Sequence, residues 1–266
     1  MTAAPAHPIH HQRTRGTAEV GLAGGRLQRL FQQGSAKAIV LHPGPEVVFL
    51  NTAGGVTGGD ELDYRLRTDA SATATTQTAE RAYRAAEDMA RITVDLAIAD
   101  GHLDWLPQET ILFQRSALAR KTRVALGREA SCLVLEAVVL GRAAMGETVT
   151  EFTLSDRREI TRGGRPVLVE PLMLTPKALQ PPAALSGARA VASLALVAQG
   201  AEDALSPVRA VLSEPGVQGA ASAFDGKLMV RLMAADGWPL RRQIARLLTV
   251  LRTRSMTTPL PRVWQI

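Results

Sequence analysis

The ten residues from Asn51 to Asp60, NTAGGVTGGD, carry two glycine pairs and an acid directly after the apolar run EVVFL. Such a stretch can cradle a phosphate, hold a metal ion or simply turn the chain twice. A phosphate loop needs a lysine and a hydroxyl after its last glycine, and here Asp60 and Glu61 would repel the anion. A dinucleotide fingerprint opens a helix, whereas the doublets Gly54–Gly55 and Gly58–Gly59 lead into the strand-like ELDYRL. Two readings remain: a pair of tight turns in which Asn51 and Asp60 bond neighbouring amides, or a carboxylate placed beside an ion path.

Other chemistry-bearing residues are sparse. The histidines His7, His10, His11, His42 and His102 form no zinc pattern, and the three in the leader could at most bind a divalent ion weakly. Cys132 sits in the apolar run SCLVLEAVVLG, where a buried thiol is inert, and no serine stands in a nucleophile elbow. Three acids are conspicuous: Glu109 in WLPQETILF, Glu136 in LVLEAVVLG and Glu170 in VLVEPLML. An unpaired carboxylate is costly in such surroundings, so each must meet an arginine, face water or line a polar interior. Thr73, Thr75, Thr76 and Thr78 divide between the two faces of a strand.

The elements that must hold these groups are mostly strands. KAIVLH, EVVFLN, ELDYRLRTD, SATATTQT, ARITVDLAIADG, HLDWLP, KTRVALG and SCLVLEAVVLG alternate or are β-branched, with turn residues between them. Strands follow strands without intervening helices, which excludes a doubly wound α/β fold, and no fixed repeat length is visible. Further on, RGGRP and FDG mark hairpins, and GAEDALSPVRAVLSE suits a short helix. From Trp238 to Arg254, Leu240, Ile244, Leu247, Leu248 and Leu251 form an apolar stripe, with Arg241, Arg242, Arg246 and Arg252 mostly off it. The pattern predicts an amphipathic helix that caps a sheet or docks a partner.

The chain has 266 residues, 46% of them hydrophobic, enough for one sizeable core. Its formal charge of +6 invites nucleic acid, but the arginines are scattered and aromatic residues are only 4%, too few for base-stacking platforms. A basic surface also suits acidic protein partners. No stretch reaches the roughly 18–20 uninterrupted apolar residues of a membrane span. The first fifteen residues lack the apolar core of a secretory signal and read as a flexible leader, and the single cysteine points to the cytoplasm.

Taken together, NTAGGVTGGD, TTQTAERAYR, WLPQETILF, LGRAAMGE and the terminal PLPRVW resemble the urease accessory protein UreD family, also called UreH, from about Gly16 to Trp264. Val56, where leucine is usual, is a small departure. The resemblance implies a mainly β, elongated β-helix or barrel-like stack of short strands with a few helices, as a single domain over 16–266 after the leader 1–15. It implies a maturation chaperone rather than an enzyme, with no tightly bound cofactor. Such a protein binds apo-urease, UreF and the GTPase UreG, so that nickel in transit reaches the urease active site. It implies a polar tunnel as well. Because they lie in otherwise apolar strands or beside the glycine pairs, Asp60, Thr75, Thr76, Glu136 and Glu170 are the expected positions along it, and Gly54, Gly55, Gly58 and Gly59 form the structural motif. Partner contacts are expected from the basic helix and the tail 259–266, through Arg241, Arg246 and Trp264. A nucleotide-dependent or nucleic-acid-binding protein is the alternative.

Overall fold

The computed structural model describes residues 13–42, 44–142, 145–179, 184–185, 187–253 and 259–265. Two hairpins open the chain: β1 (Arg15–Ala23) with β2 (Arg26–Gly34), and β3 (Ala36–Leu41) with β4 (Glu46–Asn51). Between them Gly34 adopts φ of 61°, and a Cβ there would lie 1.8 Å from the carbonyl oxygen of Arg15, so only glycine fits.

The chain then coils between two sheets. It passes through β5 (Glu61–Thr68), β6 (Ala72–Thr76), the short β7 (Glu80–Ala82), β8 (Ala90–Ile98), β9 (His102–Leu106), the short β10 (Thr110–Leu112), β11 (Ser116–Leu126), β12 (Ser131–Leu140) and β13 (Phe152–Arg162). β14 (Arg165–Leu174) turns back on β13, and a single helical turn α1 (Pro176–Leu179) follows. β15 (Ala190–Val197), α2 (Leu205–Ala210), β16 (Val217–Phe224), β17 (Lys227–Ala234) and α3 (Gly237–Arg252) complete the fold.

The first sheet runs β14-β13-β11-β8-β5-β1-β2, and its central strands are parallel. The second runs β16-β17-β15-β12-β9-β6-β4-β3, with β4, β6, β9 and β12 parallel to one another. Neither sheet closes on itself, so the expected stack of short strands takes the form of an open two-sheet coil. Its turns are unequal: Leu62 pairs with Ile92, Ile92 with Arg120, and Arg120 with Asp156. That inequality hides the repeat in the sequence.

Alternation assigns each residue to a layer. Val20, Leu66, Val94, Leu118 and Leu154 of the first sheet meet Phe49, Ala74, Trp105 and Val134 of the second in one core. Leu106, Leu133, Leu135, Leu194 and Val230 face the other way, into a second core closed by α2, α3 and the terminal Trp264. α3 buries Leu240, Ile244, Leu247, Leu248 and Leu251 as its spacing predicts, and Asp236 caps it through the Trp238 amide at 3.2 Å. β2, an edge strand, is exposed along its whole length, with Leu27, Leu30 and Phe31 in the open.

Most of the expected leader, residues 1–12, lies outside the described residues, as do Arg254 and Ile266 at the two expected C-terminal features. At its end the Thr14 amide donates to Asp60 Oδ1 at 2.7 Å, and Arg15 begins β1.

A buried ion pair fastens the helical layer. Arg252 donates from Nε to Asp104 Oδ2 at 2.7 Å and from Nη2 to Thr73 Oγ1 at 3.1 Å, while His102 Nε2 lies 3.1 Å from Asp104 Oδ1. Removing one member of such a pair leaves the other charged and desolvated. Arg252→Met is expected to lose about 3–5 kcal/mol of stability in urea unfolding, and Arg252→Met with Asp104→Asn is expected to recover part of it.

Candidate functional site

The glycine motif is a folded loop. Gly54, Gly55 and Gly59 have positive φ, and a Cβ at Gly55 would lie 2.4 Å from the Tyr83 ring. Gly58 is held for space instead, since its Cβ would come within 2.1 Å of the Glu87 carbonyl oxygen. Asp60 closes this turn. It is buried, and one oxygen accepts from the Thr57 amide of the loop at 2.8 Å while the other accepts from the Thr14 amide ahead of β1 at 2.7 Å. Of the two readings open for Asp60, the geometry realises the cap.

The expected threonines separate by strand parity. Thr76 points between the sheets, where its Oγ1 accepts from the Gln108 amide at 2.9 Å. Thr75 points to the helical side and donates to the Leu106 carbonyl oxygen at 2.6 Å. Thr75 therefore lines none of the voids between the sheets, because adjacent residues of a strand face opposite ways.

Glu136 and Glu170 do face the gap, and both meet arginine. Inward positions of the first sheet place Arg120 beside Asp156 and Arg158 beside Glu170, and those of the second place Glu136, Ser193 and Arg231 in one row. Arg120 binds Asp156 through two parallel hydrogen bonds of 3.1 and 2.7 Å, and its Nη1 lies 2.7 Å from Glu136 Oε2. Glu136 Oε1 accepts from Trp105 Nε1 and Thr122 Oγ1, each at 3.1 Å. Glu170 is held by Arg158 at 2.7 Å and by Arg231, with Ser193 Oγ donating at 3.3 Å.

Three acids thus face three arginines, with Arg120 and Arg158 buried and Arg231 reaching in from the surface. Burial raises the pKa of Glu136, and Arg120 works against that rise. Burial also opposes the charge on Asp156, but Arg120 overcomes it and holds that carboxyl below its usual range. Arg120 itself is disfavoured by burial and still rises above its usual pKa, because Asp156 and Glu136 flank it.

Three voids follow one another through this gap. The first, about 20 Å³, lies behind Asn51, Gly54, Gln77 and Glu80. The second, about 30 Å³, shares Tyr64, Thr76 and Glu80 with the first and reaches Gln108, Thr110, Arg120 and Glu136. The third, about 420 Å³, shares Glu136 with the second and opens past Asp156, Arg158, Ser193 and Arg231 between apolar walls of Leu172, Leu185 and Leu232. Each small void is large enough for a water or two.

Glu80 is absent from the expected set, as are Arg120, Asp156 and Arg158. Glu80 accepts from Asn51 Nδ2 at 3.2 Å, and burial pushes its carboxyl up to about 7 against that hydrogen bond. Among the described residues, no group of three or more histidines, cysteines or acids is arranged to hold a metal ion.

The residues expected at a partner surface turn inward for the most part. Trp264 is 1% exposed, donates from Nε1 to the Leu106 carbonyl oxygen at 2.8 Å, and lies under the guanidinium of Arg241. A ring inside the second core is not available to a partner, which corrects that expectation. Arg241 also bonds Gln108, Glu109 and the Val263 carbonyl oxygen. Arg246 stays half-exposed, paired at 2.9 Å with the buried Glu214, which Arg242 also binds.

Comparison with known proteins adds a family. Residues 14–265 match the family described as UreD urease accessory protein. A urease accessory protein UreD of Cereibacter sphaeroides is 59% identical over 96% of this chain and 96% of its own length. Those of Paracoccus denitrificans and Mesorhizobium japonicum are 53% and 43% identical, covering 97% and 96% of this chain and 95% of each relative.

The raised carboxyl of Glu80 gives a pH signature. Folded Glu80 holds its proton more tightly than the unfolded chain does, so its contribution to stability is full below the ordinary glutamate range and is lost as pH rises through about 7. Glu80→Gln is expected to gain stability relative to the native sequence between pH 5 and 8, by about 2–4 °C in melting temperature. A constant difference across that range would contradict it.

Proposed function

We infer that this chain, which belongs to the UreD family of urease accessory proteins, serves urease maturation by passing nickel through the gap between its two sheets. It does so in a complex with UreF, the GTPase UreG and apo-urease, in the cytoplasm and without chemistry of its own. The observation that carries this reading is the succession of voids that share Thr76, Glu80 and Glu136 in their walls. None of the described helices is long and apolar enough to cross a membrane.

The dimensions set the chemistry of passage. A nickel ion with its full shell of waters is far larger than voids of about 20–30 Å³, so the ion sheds water onto protein oxygens as it moves. Those oxygens are hydroxyl, amide and carboxylate: Thr76, Gln108, Thr110, Glu80 and Glu136. Oxygen donors exchange readily, whereas imidazole and thiolate hold nickel firmly. Glu170 acts at the wide end, where it fixes the buried Arg158 and, at the rim, Arg231. Asp60 acts indirectly, by holding the loop that walls the narrow end.

Docking through α3 falls to Trp238, Arg242 and Arg246, because Arg241 and Trp264 are committed inward. The glycine loop binds no nucleotide in this account, and the GTP chemistry belongs to UreG.

Thr76→Trp fills the two small voids while leaving Glu80, Arg120 and Glu136 in the sequence. In activation of apo-urease with the partner proteins and nickel, this variant is expected to fall to a small fraction of the native rate while pull-down of the partners is unchanged. Full activation with an intact complex would refute the path.

A further inference from the structure

Arg120 stands where the second void meets the third. It lines the inner void together with Glu136 and Thr110, while Glu136 and Asp156 line the outer one. A side chain that is itself a cation therefore sits at the junction, between the two carboxylates that a travelling cation would meet there.

We propose that Arg120 is the gate of this path: its guanidinium stands in for the travelling ion, and a divalent cation advances by taking over the Glu136 side of its position. This rests on the reading of the gap as an ion path.

The two sides of the guanidinium are held unequally. Toward Asp156 it makes a two-pronged contact through Nε and Nη2. Toward Glu136 it presents only Nη1, 2.7 Å from Oε2, and Oε2 receives no hydrogen bond of good geometry. Nη1 donates its hydrogen bond to Thr110 Oγ1 at 2.9 Å. Glu136 is independently anchored through Oε1, so it keeps its place when Nη1 leaves. Arg120 can pivot on Asp156, and the pivot frees one carboxylate oxygen and one hydroxyl oxygen that face the inner void.

Charge decides what opens it. Guanidinium stays protonated at every physiological pH, so the gate does not open by losing a proton. A monovalent ion brings the same charge and loses its hydration for no electrostatic gain, while a dication attracts Glu136 about twice as strongly. Once there, the dication repels the two neighbouring guanidinium groups of Arg120 and Arg158, so it does not rest.

The test is nickel-dependent melting of the full-length purified protein, with each variant compared against the native sequence so that the leader histidines cancel. Arg120→Met leaves Glu136 and Asp156 unneutralised. It is expected to melt below the native protein and to rise by about 5 °C more than it on adding nickel chloride, with no rise in sodium chloride of equal ionic strength. Arg120→Lys keeps a charge and hence the fold, but loses the two-pronged hold on Asp156, and it is expected to show a smaller nickel-dependent rise. Arg120→Met with Glu136→Gln is expected to lose the response. Folded variants no more responsive than the native protein, or a response that survives Glu136→Gln, would overturn the gate. That outcome is distinct from failure of the path, which is read from urease activation by Thr76→Trp.

Discussion

A charge placed between two packed sheets has no water to turn to, and the organisation of this molecule follows from meeting that demand. Arg120, Arg158 and Arg231 offset Glu136, Asp156 and Glu170 only because cross-strand pairing brings them side by side. A slip of β13 by one residue would turn Asp156 and Arg158 outward, leaving Arg120 with Glu136 alone and Glu170 with only Arg231 and Ser193. Buried ion pairs add little net stability over apolar packing, yet breaking one is expensive. The network therefore acts chiefly against wrong register, and the same residues give the gap its polarity.

The second sheet has two faces with separate duties. Thr76, Glu136 and Ser193 face the gap, whereas Thr73, Thr75 and Asp104 face the helices and bind Arg252 or the backbone. Period-two alternation allows one strand to build a structural lock and a polar passage in adjacent residues. α3 shows the same division, with its apolar stripe buried, and its arginines occupied by Glu109, Glu214 and Asp104.

Strand content, the hairpins and α3 were legible because they are written in local alternation and spacing. The coil was not, because its turns differ in length and no period survives in the sequence. Glu136 and Glu170 stood out as acids within apolar runs. Arg120, Asp156 and Arg158 escaped notice in ARKTRV and SDRREI, where charge looks like surface. Parity was the missing signal: Leu118 and Val124 set the inward positions of β11, and Arg120 shares them, as Asp156 and Arg158 share those of Leu154 and Ile160. The same count separates Thr75 from Thr76. Trp264 read as a docking residue because it stands near the chain end, and only tertiary packing places it inside.

In the parallel coil, each central strand finds its neighbour a full turn later in the chain, so the middle of both sheets has no local pairing from which to start. Among the described residues, only β1–β2, β3–β4, β13–β14 and β16–β17 are hairpins that can close early. Loop closure must precede every other pairing, and folding on this topology is slow. Until the turns are stacked, the acids and arginines of the gap remain hydrated and apart, and the strands of both cores stay open to any other chain. The interval between synthesis and completed winding is thus when this molecule is most exposed to aggregation.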